Sequence, residues 1–321
     1  YPNLDTKSLK VSVEIANTDQ ERVKGRLKTK VVCKETNKLF ETQSQDVYLD
    51  SDEQIIDINY FMSDEVKYWS EFSPNLYTCI VELETDSYQS SESVDFGMRS
   101  FKANGAAIEV NGTPTFLRGT LECNIFPLTG YPPMEKEGWY KVFNTAKEWG
   151  LNHLRFHSWC PPEAAFAVAD ELGFYLQVEL PAWTLTIGTD YQTTDFLYAE
   201  AKRIIKEYGN HPSFVTWSMG NELQGDMTVL HKMVDSLKVI DRRHLYSNTA
   251  FTFEKGHGDS PEYNDDFFIT QWTKNGWVRG QGVFNDYAPS FDNNYELAVR
   301  DINVPIITHE IGQYAVYPNI E

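Results

Sequence analysis

Cysteine is scarce in this chain and badly spaced for holding a metal. The four cysteines, Cys33, Cys79, Cys123 and Cys160, lie far apart and none belongs to a Cys-x-x-Cys pair, so no zinc site is expected. Cys33 and Cys79 fall in strand-like runs, and a disulfide between them across two facing sheets is the one pairing to consider, set against two buried free thiols. Positive charge is short as well. Lys and Arg number 28 against 47 Asp and Glu, a formal net charge of −19. A surface of that sign repels phosphate, which excludes nucleic acid and anionic membrane surfaces as partners. No uninterrupted apolar run is long enough to cross a bilayer. No leader is visible at the amino end, and the first residue is Tyr1 rather than Met, so the chain reads as a processed or excised piece. An extracytoplasmic location, periplasmic or secreted, is the expectation.

Apolar residues and rings are plentiful. Hydrophobic residues make up 41% of the chain, enough for a real core, and aromatics 14%. Most such rings belong to cores, but carbohydrate sites also use aromatic faces as apolar platforms. The chain is long enough for two ordinary domains, or for one barrel and a small module.

The pattern changes once, near Phe101. Before it, Leu9–Ile15, Gly25–Cys33, Gln54–Tyr60 and Leu76–Leu83 alternate apolar with polar residues and are separated by turn-like clusters, which predicts a β-sandwich. After it, Asn111-Gly112 signals a hairpin, and strands then alternate with helices. Strands are predicted from Phe116, Leu154, Phe174, Phe214, His244, Phe267 and Val304. Helices are predicted over Trp139–Trp149, Pro162–Leu172, Phe196–Tyr208, Val229–Ile240 and Tyr295–Arg300, several stopped by glycine. This is the rhythm of a (β/α)8 TIM-type barrel that stops after its seventh strand. The expected division is an immunoglobulin-like sandwich at residues 1–102 and a barrel at 103–321, incomplete at its carboxyl end.

Two glutamates stand out against that frame. Glu222 closes Trp217-Ser218-Met219-Gly220-Asn221-Glu222, and Glu310 closes Pro305-Ile306-Ile307-Thr308-His309-Glu310. Each is the first acid after a short buried-looking strand, where a barrel side chain enters the mouth in which barrel enzymes do chemistry. Two carboxylates in one mouth are what glycosidic bond cleavage requires. One must stay protonated to serve the leaving oxygen, and the other must be ionised.

Further residues carry a family resemblance. Tyr68-Trp69-Ser70 with Ser73-Pro74-Asn75-Leu76-Tyr77, then Phe96-Gly97-Met98-Arg99, Val110-Asn111-Gly112, Leu117-Arg118-Gly119 and the Glu222 motif resemble, in order, the signatures of glycoside hydrolase family two. That family holds β-galactosidases, β-glucuronidases and β-mannosidases. The resemblance implies a retaining mechanism, with Glu222 as general acid/base and Glu310 as nucleophile. It also implies that the family's amino-terminal sugar-binding-like domain and the rest of the barrel lie outside this sequence.

Around the acids, Asn221 is expected to meet the sugar's 2-hydroxyl, and Arg155 to hold Glu310 ionised or to form a packing ion pair. His157, Trp183, Trp272 and His309 are expected near the substrate, while Glu179 is a rival carboxylate or a supporting one. Two departures from the family pattern bear on the sugar. Leu121-Glu122-Cys123-Asn124-Ile125-Phe126 stands where β-galactosidases carry a histidine-rich stretch, and Thr270-Gln271-Trp272 where a supporting tyrosine is usual. The expected activity is a retaining exo-β-glycosidase, β-galactosidase-like by preference, acting on a carbohydrate without cofactor or metal. The alternative is a non-catalytic carbohydrate-binding or scaffolding fragment.

Overall fold

The computed structural model describes residues 1–18, 21–50, 52–279 and 294–312. The amino-terminal part is a sandwich. One antiparallel sheet joins Pro2–Asn3, Ser8–Ala16 and Glu53–Phe61; the other joins Gln43–Leu49, Val23–Cys33, Tyr77–Thr85 and Gln89–Phe96. Alternation decides which face is buried. Along Val23–Cys33, Gly25, Leu27, Thr29, Val31 and Cys33 point inward and the residues between them do not. Cys33 and Cys79 are both buried and both free. Of the two alternatives, the structure has the buried free thiols and not the disulfide across facing sheets: both cysteines share one sheet, where Cys79 pairs with Val31 and Cys33 with Tyr77.

A three-stranded meander follows, over Phe101–Asn104, Ala107–Val110 and Thr113–Thr115. Its second turn is Asn111-Gly112, both in the left-handed region, as a two-residue hairpin of right-twisted strands requires. The meander claims Thr113–Thr115, so the first barrel strand begins three residues later than predicted, at Gly119 rather than Phe116. Phe101, Ile108 and Val110 pack against Tyr175, Val215, Leu245, Phe267 and Ile269.

The barrel strands are Gly119–Glu122, His153–Phe156, Tyr175–Glu179, Phe214–Ser218, Leu245–Ser247, Phe268–Thr270 and Ile306–Thr308. The first five form one parallel sheet in chain order, and the last two pair in parallel with each other. The fifth and sixth are linked by Asp266, whose backbone N–H donates to Tyr246 O at 2.8 Å. Helices α1 (Lys136–Glu148), α2 (Glu163–Leu172), α3 (Tyr191–Tyr208) and α4 (Met227–Ile240) lie between the strands, and a short α5 (Glu296–Val299) precedes the seventh. The core between strands and helices is built from Leu154, Phe156, Leu176, Val178, Phe214 and Trp217 against Trp139, Phe143, Phe166, Leu197, Ile204 and Leu230.

Sandwich and barrel lock together at the amino ends of the barrel strands. Arg99, buried, donates to three barrel carbonyls: Pro212 O at 2.9 Å, Arg243 O at 2.7 Å and Phe214 O at 2.7 Å. Trp69 donates its indole N–H to Asp170 O at 2.9 Å. Gly97 lies between them, and a Cβ there would fall 2.7 Å from Trp69 Cβ and 2.9 Å from Pro212 Cβ. That contact explains a glycine two residues before the arginine.

His211 ties this end of the barrel to α2. Its ring meets Asp170 Oδ2 at 2.6 Å and Glu163 Oε2 at 3.0 Å. Burial alone would push the imidazole down, but the charge and hydrogen bond of Asp170, aided by Glu163, lift it from 6.5 to about 10. A raised folded-state pKa adds stability that is complete below about 6.5 and is lost as pH climbs toward about 10. Breaking the pair with His211→Gln is expected to cost about 3 kcal/mol near pH 6. Thermal melts at pH 6 and 9 check this: the parent should lose stability between the two values, and the variant should lose less.

Candidate active site

The mouth lies at the carboxyl ends of the barrel strands. After the fourth strand the chain runs Met219-Gly220-Asn221-Glu222 between its neighbours. Gly220 has φ 144°, and a Cβ would meet Ala182 O at 2.4 Å, so only glycine lets the backbone pass. Asn221 N–H then donates to Ala182 O at 2.9 Å and Glu222 N–H to Ala250 O at 3.1 Å. These bonds pin the loop to those after the third and fifth strands. After the seventh strand, His309 N–H donates to Thr270 O at 2.9 Å, fixing Glu310 at the next position. Glu222 and Glu310 both adopt left-handed backbones, at φ 48° and 49°, as does Phe251 at 65°. For residues other than glycine this is uncommon, and such conformations gather at functional sites.

One oxygen from each of the two carboxylates and a ring nitrogen of His309 lie within 4.8 Å of one another. Among the described residues this is the one grouping with metal-ligand geometry. With Arg155 Nη1 3.8 Å from Glu310 Oε1, we read it as a carboxylate pair beside an imidazole rather than as a cation site.

The environments of the two acids push them apart. Burial, and then the negative charge of Glu310, raise the Glu222 carboxyl above its usual range, while His157, Arg155 and the Trp183 indole oppose the rise. Burial would raise Glu310 too, but the His157 hydrogen bond and the positive charges of Arg155 and His157 hold it at about 2. His157 Nε2 lies 3.5 Å from Glu310 Oε1, and that partner raises the imidazole pKa. His309 goes the other way. Burial first, then Arg155, push it down to about 3, so it is neutral. Its partners assign the tautomer: Nδ1 accepts from Gln271 Nε2 at 3.1 Å, and Nε2–H donates to Asn221 Oδ1 at 3.1 Å.

Arg155 acts on Glu310 through its charge and not through the expected charge-assisted bond. Its hydrogen bonds go to Glu179, from Nε at 2.7 Å and Nη2 at 3.2 Å, and to Asn221 Oδ1 at 2.6 Å. Its approach to Glu310 at 3.8 Å is too long for a charge-assisted bond. Glu179 is fully buried, which removes it as a rival nucleophile. The Asn221 oxygen is occupied by Arg155 and His309, so a sugar hydroxyl would meet its amide nitrogen. Trp183 stands exposed at the rim, edge-on to His157 with ring centroids 6.1 Å apart. Trp272 sits two rings back from the carboxylates, against Phe251 at 4.6 Å, and Phe251 in turn faces His309 at 5.3 Å.

Four contributors escaped the sequence reading. Gln271 orients His309, Ser158 Oγ donates to Glu179 at 2.8 Å, Phe251 backs the site, and Cys123 is close enough to feel Arg155, Glu310 and Glu179. Gln271 and Cys123 each follow a barrel strand directly, a signal that could have found them.

Comparison with known proteins agrees with this architecture. The family model for glycosyl hydrolases family 2 matches residues 1–99, and that for the TIM barrel domain of the same family matches residues 101–313. A β-galactosidase of Thermoanaerobacterium thermosulfurigenes is 25% identical over 223 residues, covering 68% of this chain and 30% of the relative. A β-galactosidase of Vibrio vulnificus is 25% identical over 166 residues, covering 49% of this chain and 16% of the relative. The chain thus spans less than a third of the length of these relatives. Among solved structures, a Parabacteroides merdae β-glucuronidase with glycerol in its active site superposes with a TM-score of 0.71 at 20% identity, over 89% of this chain and 36% of that one. A family 2 member from Bacteroides cellulosilyticus gives 0.64 at 23% identity, over 75% and 33%. With both segments matched in order and two acids meeting in the barrel mouth, the chain belongs to glycosyl hydrolases family 2.

Proposed function

We propose that this chain carries the catalytic pair of a retaining exo-β-glycosidase, β-galactosidase-like by preference, with residues 1–102 as the sandwich and 103–321 as an incomplete barrel. The observation that carries the reading is the carboxylate pair, with oxygens within 4.8 Å and pKa values displaced in opposite directions. Retaining enzymes hold their carboxyl groups about 5–5.5 Å apart, whereas inverting ones leave about 6.5–9.5 Å for a water. In the first step Glu310 attacks the anomeric carbon as the glycosidic bond breaks, and Glu222 gives its proton to the departing oxygen. In the second step the Glu222 carboxylate takes a proton from water, which attacks the same carbon and releases Glu310. Asn221, His157 and Trp183 line the position of the sugar, while His309 and Trp272 support it. The β-galactosidase preference leans on the names of the curated relatives. A panel of aryl β-glycosides on the full-length protein tests the sugar, and turnover of none of them would sink the reading.

Glu222→Ala is expected to slow poor leaving groups by about 10²–10⁴-fold and activated aryl glycosides far less, since only the former need the proton. Azide should partly restore turnover of activated substrates by attacking the intermediate in place of water. In the parent, kcat/KM should rise with pH through the depressed pKa of Glu310, about 2, and fall through the elevated one of Glu222. A uniform loss across leaving groups, without azide rescue, would remove Glu222 from the role. A second reading, a non-catalytic carbohydrate-binding piece, is favoured by one feature, the exposed face of the first barrel strand.

A further inference from the structure

We propose that Glu179 is a positioning residue whose carboxylate offsets the charge of Arg155, so that the guanidinium orients Asn221 beside the reacting carboxylates by hydrogen bonding instead of facing those acids as a bare cation. The proposal rests on the roles given to Glu222 and Glu310 above. No step of the hydrolysis uses Glu179, and its burial keeps it from any sugar. Yet both of its oxygens are doubly engaged. Oε1 accepts from Arg155 Nε at 2.7 Å and Gln177 Nε2 at 3.3 Å. Oε2 accepts from Arg155 Nη2 at 3.2 Å and Ser158 Oγ at 2.8 Å. This side-on, two-point pairing fixes the guanidinium plane. It turns Nη2 to Asn221 Oδ1 and leaves only Nη1 toward Glu310, at 3.8 Å. The shortest carboxylate contacts of Arg155 are thus with the acid that does no chemistry.

The electrostatic consequence follows from Coulomb's law. Two opposite charges in contact act on a third group as a dipole, whose influence falls off faster than that of a lone charge. Glu222 has to keep its proton until the leaving oxygen takes it, and an uncompensated cation nearby would favour losing it. The groups that act on Glu222 are Glu310 after the seventh strand, His157 and Arg155 at the end of the second and Trp183 after the third, with a ring nitrogen of His309 within 4.8 Å. Glu179 at the end of the third strand and Cys123 after the first neighbour Arg155 instead. Glu254, on the loop after the fifth strand, accepts from Gly225 N–H at 2.9 Å. Within this set Arg155 and His157 draw the Glu222 proton off and Glu310 holds it on. Glu179 is the acid in direct contact with Arg155.

The test is a carboxyl ¹³C titration of Glu222 in the full-length protein without substrate, assigned by comparison with Glu222→Gln. In Glu179→Gln the Glu222 midpoint is expected to fall by about one pH unit, and the alkaline limb of kcat/KM should fall with it. Glu179→Asp keeps the charge and should keep the midpoint, even where its rate drops. Glu179→Gln leaves a buried cation unpaired and can fail to fold, so the double variant Arg155→Gln/Glu179→Gln provides a second arm. With both charges gone, its midpoint should stay close to that of the parent. An unmoved midpoint in Glu179→Gln, or a shift of about one unit or more in the double variant, overturns the proposal. Since the titration is read without substrate, failure on every glycoside tested would sink the hydrolase reading and leave this one standing.

Discussion

Glu310→Gln in the full-length protein is expected to lower turnover of an activated aryl β-glycoside by about 10⁴-fold or more. The substitution removes the attacking oxygen and keeps the shape, so the fold should survive it. The loss should not depend on the leaving group, which separates it from Glu222→Ala. A good leaving group relieves the need for a proton but not the need for a nucleophile. Glu310 is also the negative neighbour that helps hold the Glu222 proton. The same variant should therefore lower the Glu222 pKa, visible in the same carboxyl titration. Mass spectrometry with a slow fluorinated glycoside should trap a covalent sugar on Glu310 in the parent and none in the variant. Unchanged turnover would take Glu310 out of the role.

The 321 residues alone are expected to be slower than a longer version by about 10²-fold or more. Gly119–Glu122, the first barrel strand, is mostly exposed, whereas the second, third, fourth and fifth are buried throughout. Among the described residues it pairs with the second strand only, and the seventh pairs with the sixth only. A closed barrel bridges the seventh strand to the first with an eighth. Among the described residues the strand leading to Glu310 is thus held from one side, and a displacement of about 1 Å in a catalytic group costs about 10²-fold in rate. The check is to assay the 321 residues beside a version extended by an eighth strand and its helix. Equal turnover would show that the seam is closed by other means.

The sequence carried the architecture further than it carried the wiring of the site. Periodicity found the helices to within a few residues, because each apolar stripe faces one core and each glycine stop is local chemistry. α2 is an example: it ends at Gly173, whose φ of 69° is the left-handed cap that the residue type predicts. The late start of the first barrel strand was hidden, because Thr113–Thr115 is a strand either way and only its partner decides which sheet owns it. In the site, strand ends brought Glu222, Glu310, Arg155, His157, Asn221 and His309 together, since position along a parallel strand sets depth in the barrel. The partner of Arg155 could not be read. The guanidinium lies 2.7 Å from Glu179 and 3.8 Å from Glu310, a choice among three strands that leaves no periodic trace.

The left-handed backbones of Glu222 and Glu310 put selection for durability and selection for activity in opposition. Glycine at either position would relieve a conformation that costs an ordinary side chain on the order of 1 kcal/mol, and would separate two acids that repel each other. A library heated and screened only for survival should therefore enrich replacements at these two positions, and its winners would be inert. The barrel mouth is then maintained by use alone, and a copy of this gene released from its substrate should lose these two residues before it loses its fold.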